Sequence, residues 1–402
     1  MTGAEQRGAT TGRLSPRGGA RPRNRRVAGF VLAASAVLVL AVPAGASAAG
    51  RGRPAGGQAR VRVGPVLEVS HGCTGPSTEV EQAVDYPYVY EAWMGCGGIG
   101  FARSTDGGRT FGHPLAVPGS VVPGHLHVGP FVIPKKGWDP AVAVAPGGTV
   151  YLTWIYGHSL LKVFHGTGPA YVFLQKSSDA GKTWSRMTPV SPGHVQAAAA
   201  PLLVEPGGRI DVLMWVPHHD SFTSSADGGR TWSRLVAVRP GAGLITFGAV
   251  GIDAALGIDA AGTLYATWNT QRPGGDTGWL SYSTDHGRAW SPARRVTPGH
   301  NSTGHIMAVA GGRPGVAYLG WLSDDKGRGF ADYLRPFSVR RGWLSAPVRV
   351  SRRFGAPGVH PGDTIGISVL PRGHGRPRVM LSWGSAVSRQ ISQIWAASAT
   401  GS

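Results

Sequence analysis

Six short runs of aliphatic, aromatic and β-branched residues each close on a tryptophan: Val-Tyr-Glu-Ala-Trp93, Tyr-Leu-Thr-Trp154, Val-Leu-Met-Trp215, Tyr-Ala-Thr-Trp268, Tyr-Leu-Gly-Trp321 and Met-Leu-Ser-Trp383. Runs of this length and make-up read as buried strands. The tryptophans stand 61, 61, 53, 53 and 62 residues apart, room for one four-stranded unit and its loops. Ahead of most runs lies a Gly/Pro turn, as in Pro146-Gly-Gly148, Pro206-Gly-Gly208 and Ala261-Gly262. These turns are expected to join the first and second strands of each unit.

A second repeat marks the other end of each unit. Ser104-Thr-Asp-Gly-Gly-Arg-Thr-Phe111 recurs as Ser177-Ser-Asp-Ala-Gly-Lys-Thr-Trp184, Ser225-Ala-Asp-Gly-Gly-Arg-Thr-Trp232 and Ser283-Thr-Asp-His-Gly-Arg-Ala-Trp290. Asp106, Asp179, Asp227 and Asp285 are placed to accept bonds from backbone N–H groups of a tight turn, with glycine at the φ > 0 position. The closing aromatic pins the hairpin. A degenerate copy without Asp, Phe337-Ser-Val-Arg-Arg-Gly-Trp343, falls in the fifth unit. The pattern resembles the Asp-box (BNR) repeat of the sialidase superfamily, in which it is a structural turn.

The expected fold is therefore all-β, a six-bladed β-propeller of four-stranded blades over residues 61–402. The last blade has only three strands of its own, ending at Ser392-Gln-Ile-Trp-Ala-Ala-Ser398, and Val61-Arg-Val-Gly-Pro-Val-Leu-Glu-Val-Ser70 is expected to supply the fourth and close the ring. Upstream, Arg21-Pro-Arg-Asn-Arg-Arg26, an apolar run from Val27 to Val42 and Ala46-Ser-Ala48 read as an export signal over residues 1–48. Residues 49–60 read as a flexible lead-in. The expected destination is extracellular, in a bacterial setting, with no membrane attachment after cleavage. In that compartment the two cysteines, Cys73 and Cys96, are expected to form a disulfide near the ring's closure point.

The net charge is +19, falling to +13 without the seven arginines and one glutamate of residues 1–48. A basic surface favours an anionic partner. The basic residues are scattered and no nucleic-acid-binding motif accompanies them, so no specific nucleic acid is expected. The expected partner is an extracellular glycan or anionic envelope polymer, bound by a monomer without a cofactor.

In sialidase-like propellers the loops between blades and those joining strands two and three form the functional face, opposite the Asp-containing turns. On that map the candidate ligand-binding residues are His125, Trp138, Asp139, His194, His218, His219, Asp220, His300, His360 and Asp363. Several of these histidines stand in a repeated Pro-Gly-His, which equally reads as a turn. His218-His-Asp220 is the best local set for a metal ion, but it lacks a helical or cysteine-rich frame. The resemblance also implies a Tyr nucleophile paired with Glu, an Asp acid/base and three Arg. Here no Glu follows Glu205 and no Tyr follows Tyr333. Two further readings stand: a divergent glycoside hydrolase using Asp139 with Asp363 or Asp220 as its carboxylates, and a protein-interaction scaffold.

Overall fold

The computed structural model describes the chain from 61 to 401, apart from 129–130, 158–169, 191–200, 217–218, 235, 238–254, 271–276, 286–288, 298–305, 324–328, 353–361, 363, 372–376 and 389–390. The export signal and lead-in thus lie outside the described residues.

Six antiparallel sheets follow one another along the chain. Blade 1 consists of Thr78–Asp85, Tyr88–Gly95, Gly98–Ser104 and Leu115–Ala116. Blade 2 is built from Trp138–Val144, Val150–Gly157, Ala170–Ser177 and Thr188–Pro189. Blade 3 has Leu202–Val204, Ile210–Val216, His219–Ser225 and Val236–Ala237. Blade 4 uses Ala255–Ile258, Leu264–Thr270, Thr277–Ser283 and Arg294–Arg295. Blade 5 contains Ile306–Gly311, Val316–Ser323 and Ala331–Ser338, the last pairing with both Gly342–Trp343 and Val348–Arg349. In blade 6, Gly366–Leu370, Arg378–Ser388 and Ile391–Gly401 are completed by Val61–Glu68. The fold is the expected six-bladed propeller, and the Gly/Pro turns and the Ser-x-Asp turns fall between strands one and two and between three and four.

The N-terminal strand closes the ring as its sequence predicts. Val61 pairs with Gly401 and Glu68 with Trp395, while Val69 N–H donates to the Ile394 carbonyl at 2.7 Å. One hairpin was not foreseen. Val121–Val128 and Phe131–Lys136 form an added two-stranded ribbon between blades 1 and 2, where a loop was expected.

The core lies between blades. Val89 and Ala102 of blade 1 meet Leu370, Met380 and Ile394 of blade 6. Tyr90 and Phe101 meet Val150, Leu152 and Trp154 of blade 2. Leu322 and Leu334 of blade 5 meet Ile367 and Leu381 of blade 6. Each such large side chain contributes about 1.5–3 kcal/mol by leaving water. Trp93, Trp154, Trp321 and Trp383 are all buried, and Gly100, opposite Trp93 in the sheet, leaves the space its indole fills: a Cβ there would sit 2.4 Å from the ring.

The four Asp turns share one bonding scheme where described. In blade 1, Asp106 Oδ1 accepts from Ser104 Oγ at 2.7 Å and from the N–H groups of Arg109 and Thr110, while Oδ2 accepts from Thr110 Oγ1 at 2.7 Å. Asp179 and Asp227 repeat it with Thr183 and Thr231, and Asp285 with Ser283 and Ala289 N–H. These bonds favour the ionised form, holding Asp179 and Asp227 well below the ordinary carboxylate range.

The turns also stitch neighbouring blades. Gly181, at φ 82°, lies against Phe101 of blade 1, and Gly229, at φ 85°, against Leu174 of blade 2; a Cβ would come within 2.2 Å and 2.1 Å of those side chains. Arg103 of blade 1 donates to the Ala180 carbonyl at 2.7 Å. Trp184 sets its ring edge-on to Phe101 at 5.0 Å, so the closing aromatic grips the preceding blade as well as its own hairpin.

Candidate functional site

Because strands alternate in direction, each blade puts its two tight turns at one end and its inter-blade and strand two–three loops at the other. The second end is the loop end. Of the residues expected there, Trp138 and Asp139 open the inner strand of blade 2 and are half-buried. His219 and Asp220 begin the third strand of blade 3, paired with Val216 and Trp215, and His125 lies in the added ribbon opposite Pro134; their backbone alone is described. His194, His218, His300, His360 and Asp363 lie outside the described residues. Among the described residues no three His, Cys, Asp or Glu converge as a metal site.

Asp139 has a feature the sequence did not announce. Its φ is +46°, and the register slips between Trp138 and Ala141. A non-glycine residue in this region is strained, and such strain gathers where a side chain is being aimed. Glu79 of blade 1 is its counterpart. It has φ +57° and its own slip between Thr78 and Val80. The equivalence follows from register: Glu81 and Ala141, each two residues on, face the residue before the strand-two tryptophan, Ala92 and Thr153. Gly362, leading into blade 6 with φ +118°, packs on Glu79 so closely that a Cβ would meet its backbone nitrogen at 2.6 Å.

Beneath Glu79 lies a group of acids that the sequence reading passed over. Glu91, on the second strand of blade 1, is fully buried and accepts a bond from Gln82 Nε2, which also reaches Ser382 Oγ of blade 6 at 3.4 Å. Burial pushes the Glu91 carboxyl up to about 8, against the bonds from Ser382 and Gln82 that favour its charge. Glu81 is raised as well, again by burial. The signal was present: at the place of Glu91 the other blades carry Leu152, Leu213, Ala266, Leu319 and Leu381. Asp332, at the loop end of blade 5, is a second buried acid, with Ser351 Oγ at its backbone N–H. Its pKa is driven upward by burial. Near neutral pH burial favours the protonated, hydrogen-bond-donating form of Glu91.

The disulfide forms as expected. Cys73 in the loop leading into blade 1 is bonded to Cys96 in the turn after its second strand, with Cα atoms 4.8 Å apart. It ties together the loops on either side of Glu79.

No protein-family model and no curated protein matches the chain. Solved structures do. A protein of unknown function from Dyadobacter fermentans superposes with a TM-score of 0.58 at 13% identity, over 85% of this chain and 99% of that one. The K499G mutant of NanB sialidase from Streptococcus pneumoniae gives 0.57 at 11% identity, over 82% and 70%. The Hadza microbial sialidase Hz136 gives 0.50 at 14% identity, over 79% and 65%. At these identities the likeness is one of fold, and the chain is a six-bladed propeller of the shape that sialidases use.

Proposed function

We propose that the chain is an exported, noncatalytic binding propeller for an extracellular glycan or anionic envelope polymer, held at the loop end. One observation carries the reading: from blade 4 to its end the chain holds no glutamate, and blade 6 no tyrosine, where the sialidase family's base and nucleophile would be expected. No glutamate follows Glu205 and no tyrosine follows Tyr333. Tyr265, whose hydroxyl meets Asp259 at 2.8 Å, lies beside the first turn of blade 4, at the end away from the loops. Burial and that carboxylate raise its pKa, the wrong direction for a nucleophile. The disulfide supports an oxidising destination. The rim residues Trp138, Asp139 and Glu79 offer the mixture of aromatic face and carboxylate that sugar hydroxyls use.

A glycoside hydrolase is the second reading. It is favoured by Glu81, whose carboxyl burial pushes up to about 8, the direction a glycosidase's general acid needs. A panel of fluorogenic glycosides, sialosides included, together with a glycan array of neutral and acidic sugars, separates the readings. Array binding lost in Asp139→Ala, with no release from any glycoside, is the expected result. Release abolished in Asp139→Ala or Glu81→Gln overturns the noncatalytic reading. A protein partner recovered by pull-down, with no sugar bound, supports the scaffold instead.

A further inference from the structure

We propose that the opposite end of the ring, at the tight turns of blades 5 and 1 and the start of the closing strand, is a second docking surface, and that it takes an anionic polysaccharide. The proposal rests on the reading of this chain as an exported polymer binder, but it uses a different surface.

Two clefts open at that end. The first, of 360 Å³, lies between the two turns of blade 5 and is lined by Arg313, Arg340, Arg341, Pro314, Ser338 and Leu344 among others. It occupies the place of the missing Asp turn. In the intact turns an aspartate accepts the backbone N–H groups and brings a negative charge. Here the turn is two residues shorter between its serine and its aromatic, Ser338 Oγ accepts only from Arg341 N–H, and two exposed guanidinium groups project instead. The second cleft, of 430 Å³, runs between the N-terminal strand of blade 6 and the Asp turn of blade 1, with Arg62, Arg109, Pro65, Leu67, Ser398 and Thr400 in its walls.

Arg62, Arg109, Arg313, Arg340 and Arg341 make no ion pair among the described residues. Arg109 donates to the Asp106 main-chain carbonyl at 3.3 Å, and the Asp106 carboxylate is committed to its own turn. Five guanidinium groups are therefore available for an outside anion, and each is a planar fork that pairs bidentately with carboxylate, sulfate or phosphate. Both clefts have volumes suited to one or two sugar rings. Their walls add hydroxyls from Ser338, Ser398 and Thr400 for sugar hydroxyls, and aliphatic surface from Leu67, Pro65, Pro314 and Leu344 for ring faces. Among the described residues no aromatic ring lines either cleft, so they offer no stacking platform of the kind that single-stranded nucleic acids use. Anionic polysaccharide is the polymer this chemistry fits.

The test is fluorescence anisotropy of the mature chain with labelled polygalacturonate, dextran sulfate and single-stranded DNA of matched charge, at low and physiological salt. The variants are Arg313→Ala/Arg340→Ala/Arg341→Ala and Arg62→Ala/Arg109→Ala. Lys182→Ala/Arg230→Ala, which removes two exposed charges from intact turns, is the control, and Asp139→Ala reports on the loop end. Each cleft variant is expected to weaken polysaccharide binding about tenfold or more and to flatten its salt dependence, while the control changes it little. Replacing Arg340 and Arg341 by Lys is expected to retain the salt dependence and lose part of the affinity, which a folding defect would not do. Cleft variants that bind like the control, or DNA bound more tightly than either polysaccharide, overturn the proposal. Loss in Asp139→Ala alone, or binding of neutral glycans without polyanions, overturns it while leaving the loop-end reading standing.

Discussion

Replacing Glu91 by Gln tests the buried acid directly. Its carboxyl moves from an ordinary 4.5 to about 8 on folding. A raised carboxyl stabilises the fold fully below the unfolded pKa, and that contribution is lost as pH climbs from about 4.5 toward 8. At 1.36 kcal/mol per unit, the loss at pH 7 is about 3 kcal/mol. The amide has the shape of the protonated acid and keeps an oxygen for Gln82 Nε2, so it carries no such loss. Wild type and Glu91→Gln should therefore melt together near pH 4 and diverge above pH 5, the variant gaining about 5 °C by pH 7. Thermal melts followed by circular dichroism across that range measure it. Asp332, in blade 5, titrates alike in both proteins, and because Glu81 feels the Glu91 charge the comparison is repeated in a Glu81→Gln background. Parallel stability profiles for the two proteins, or a variant less stable than wild type at pH 7, would refute the reasoning.

Other perturbations act on separate parts of the ring. Asp259 accepts from Ala261 N–H, Thr263 N–H, Tyr265 Oη and, across to blade 5, Gly315 N–H; Asp259→Ala is expected to cost about 3–4 kcal/mol in urea unfolding, and a loss under about 1 kcal/mol counts against this bonding as a blade clamp. Removing the disulfide by Cys73→Ala/Cys96→Ala opens a loop of 23 residues and is expected to cost about 3 kcal/mol. An unchanged denaturation midpoint would argue against the bond. Asp179→Asn keeps only part of the turn's bonding and is expected to lower the melting temperature without altering glycan affinity; a changed affinity in a well-folded variant would give the turn a binding role. Gly229→Ala forces a Cβ onto Leu174 at φ 85° and is expected to destabilise by about 2 kcal/mol or more. A neutral effect there would remove the turn glycines as blade stitches.

Repetition made the fold legible. Each Trp run and each Ser-x-Asp turn carries its own local reason to form, and their order alone fixes blade count and strand order. The closing strand was readable because Val61-Arg-Val has the alternation of a fourth strand and no turn ahead of it. The added ribbon was not, since Pro123-Gly-His125 and Pro134 punctuate it like a loop and only pairing makes it a hairpin. The site was far less legible. Asp139 was found by position, but its positive φ depends on a register slip that no local pattern encodes. Glu79 went unnoticed because its equivalence to Asp139 exists only in the register. Glu91 did stand out as an acid in a leucine position; reading strands only for their tryptophans hid it. The expectation that functional chemistry belongs to the loop end also steered attention from Arg340 and Arg341, seen simply as a decayed turn.

The seam between Val61–Glu68 and Ile391–Gly401 sets the order in which this protein can come into being. Val61–Glu68 finds its partner only once Ile391–Gly401 has been made, which gives the fold a contact of the highest sequence separation the described chain allows. Until then five blades hold an open edge at each end, and the sixth has no outer strand. A chain that holds both strands can close at once, whereas one lacking either leaves blade 6 with an unpaired strand edge. The eight residues at the start and the eleven at the end are thus a single joint, and a tag, fusion or protease cut placed inside either strand acts on the whole ring.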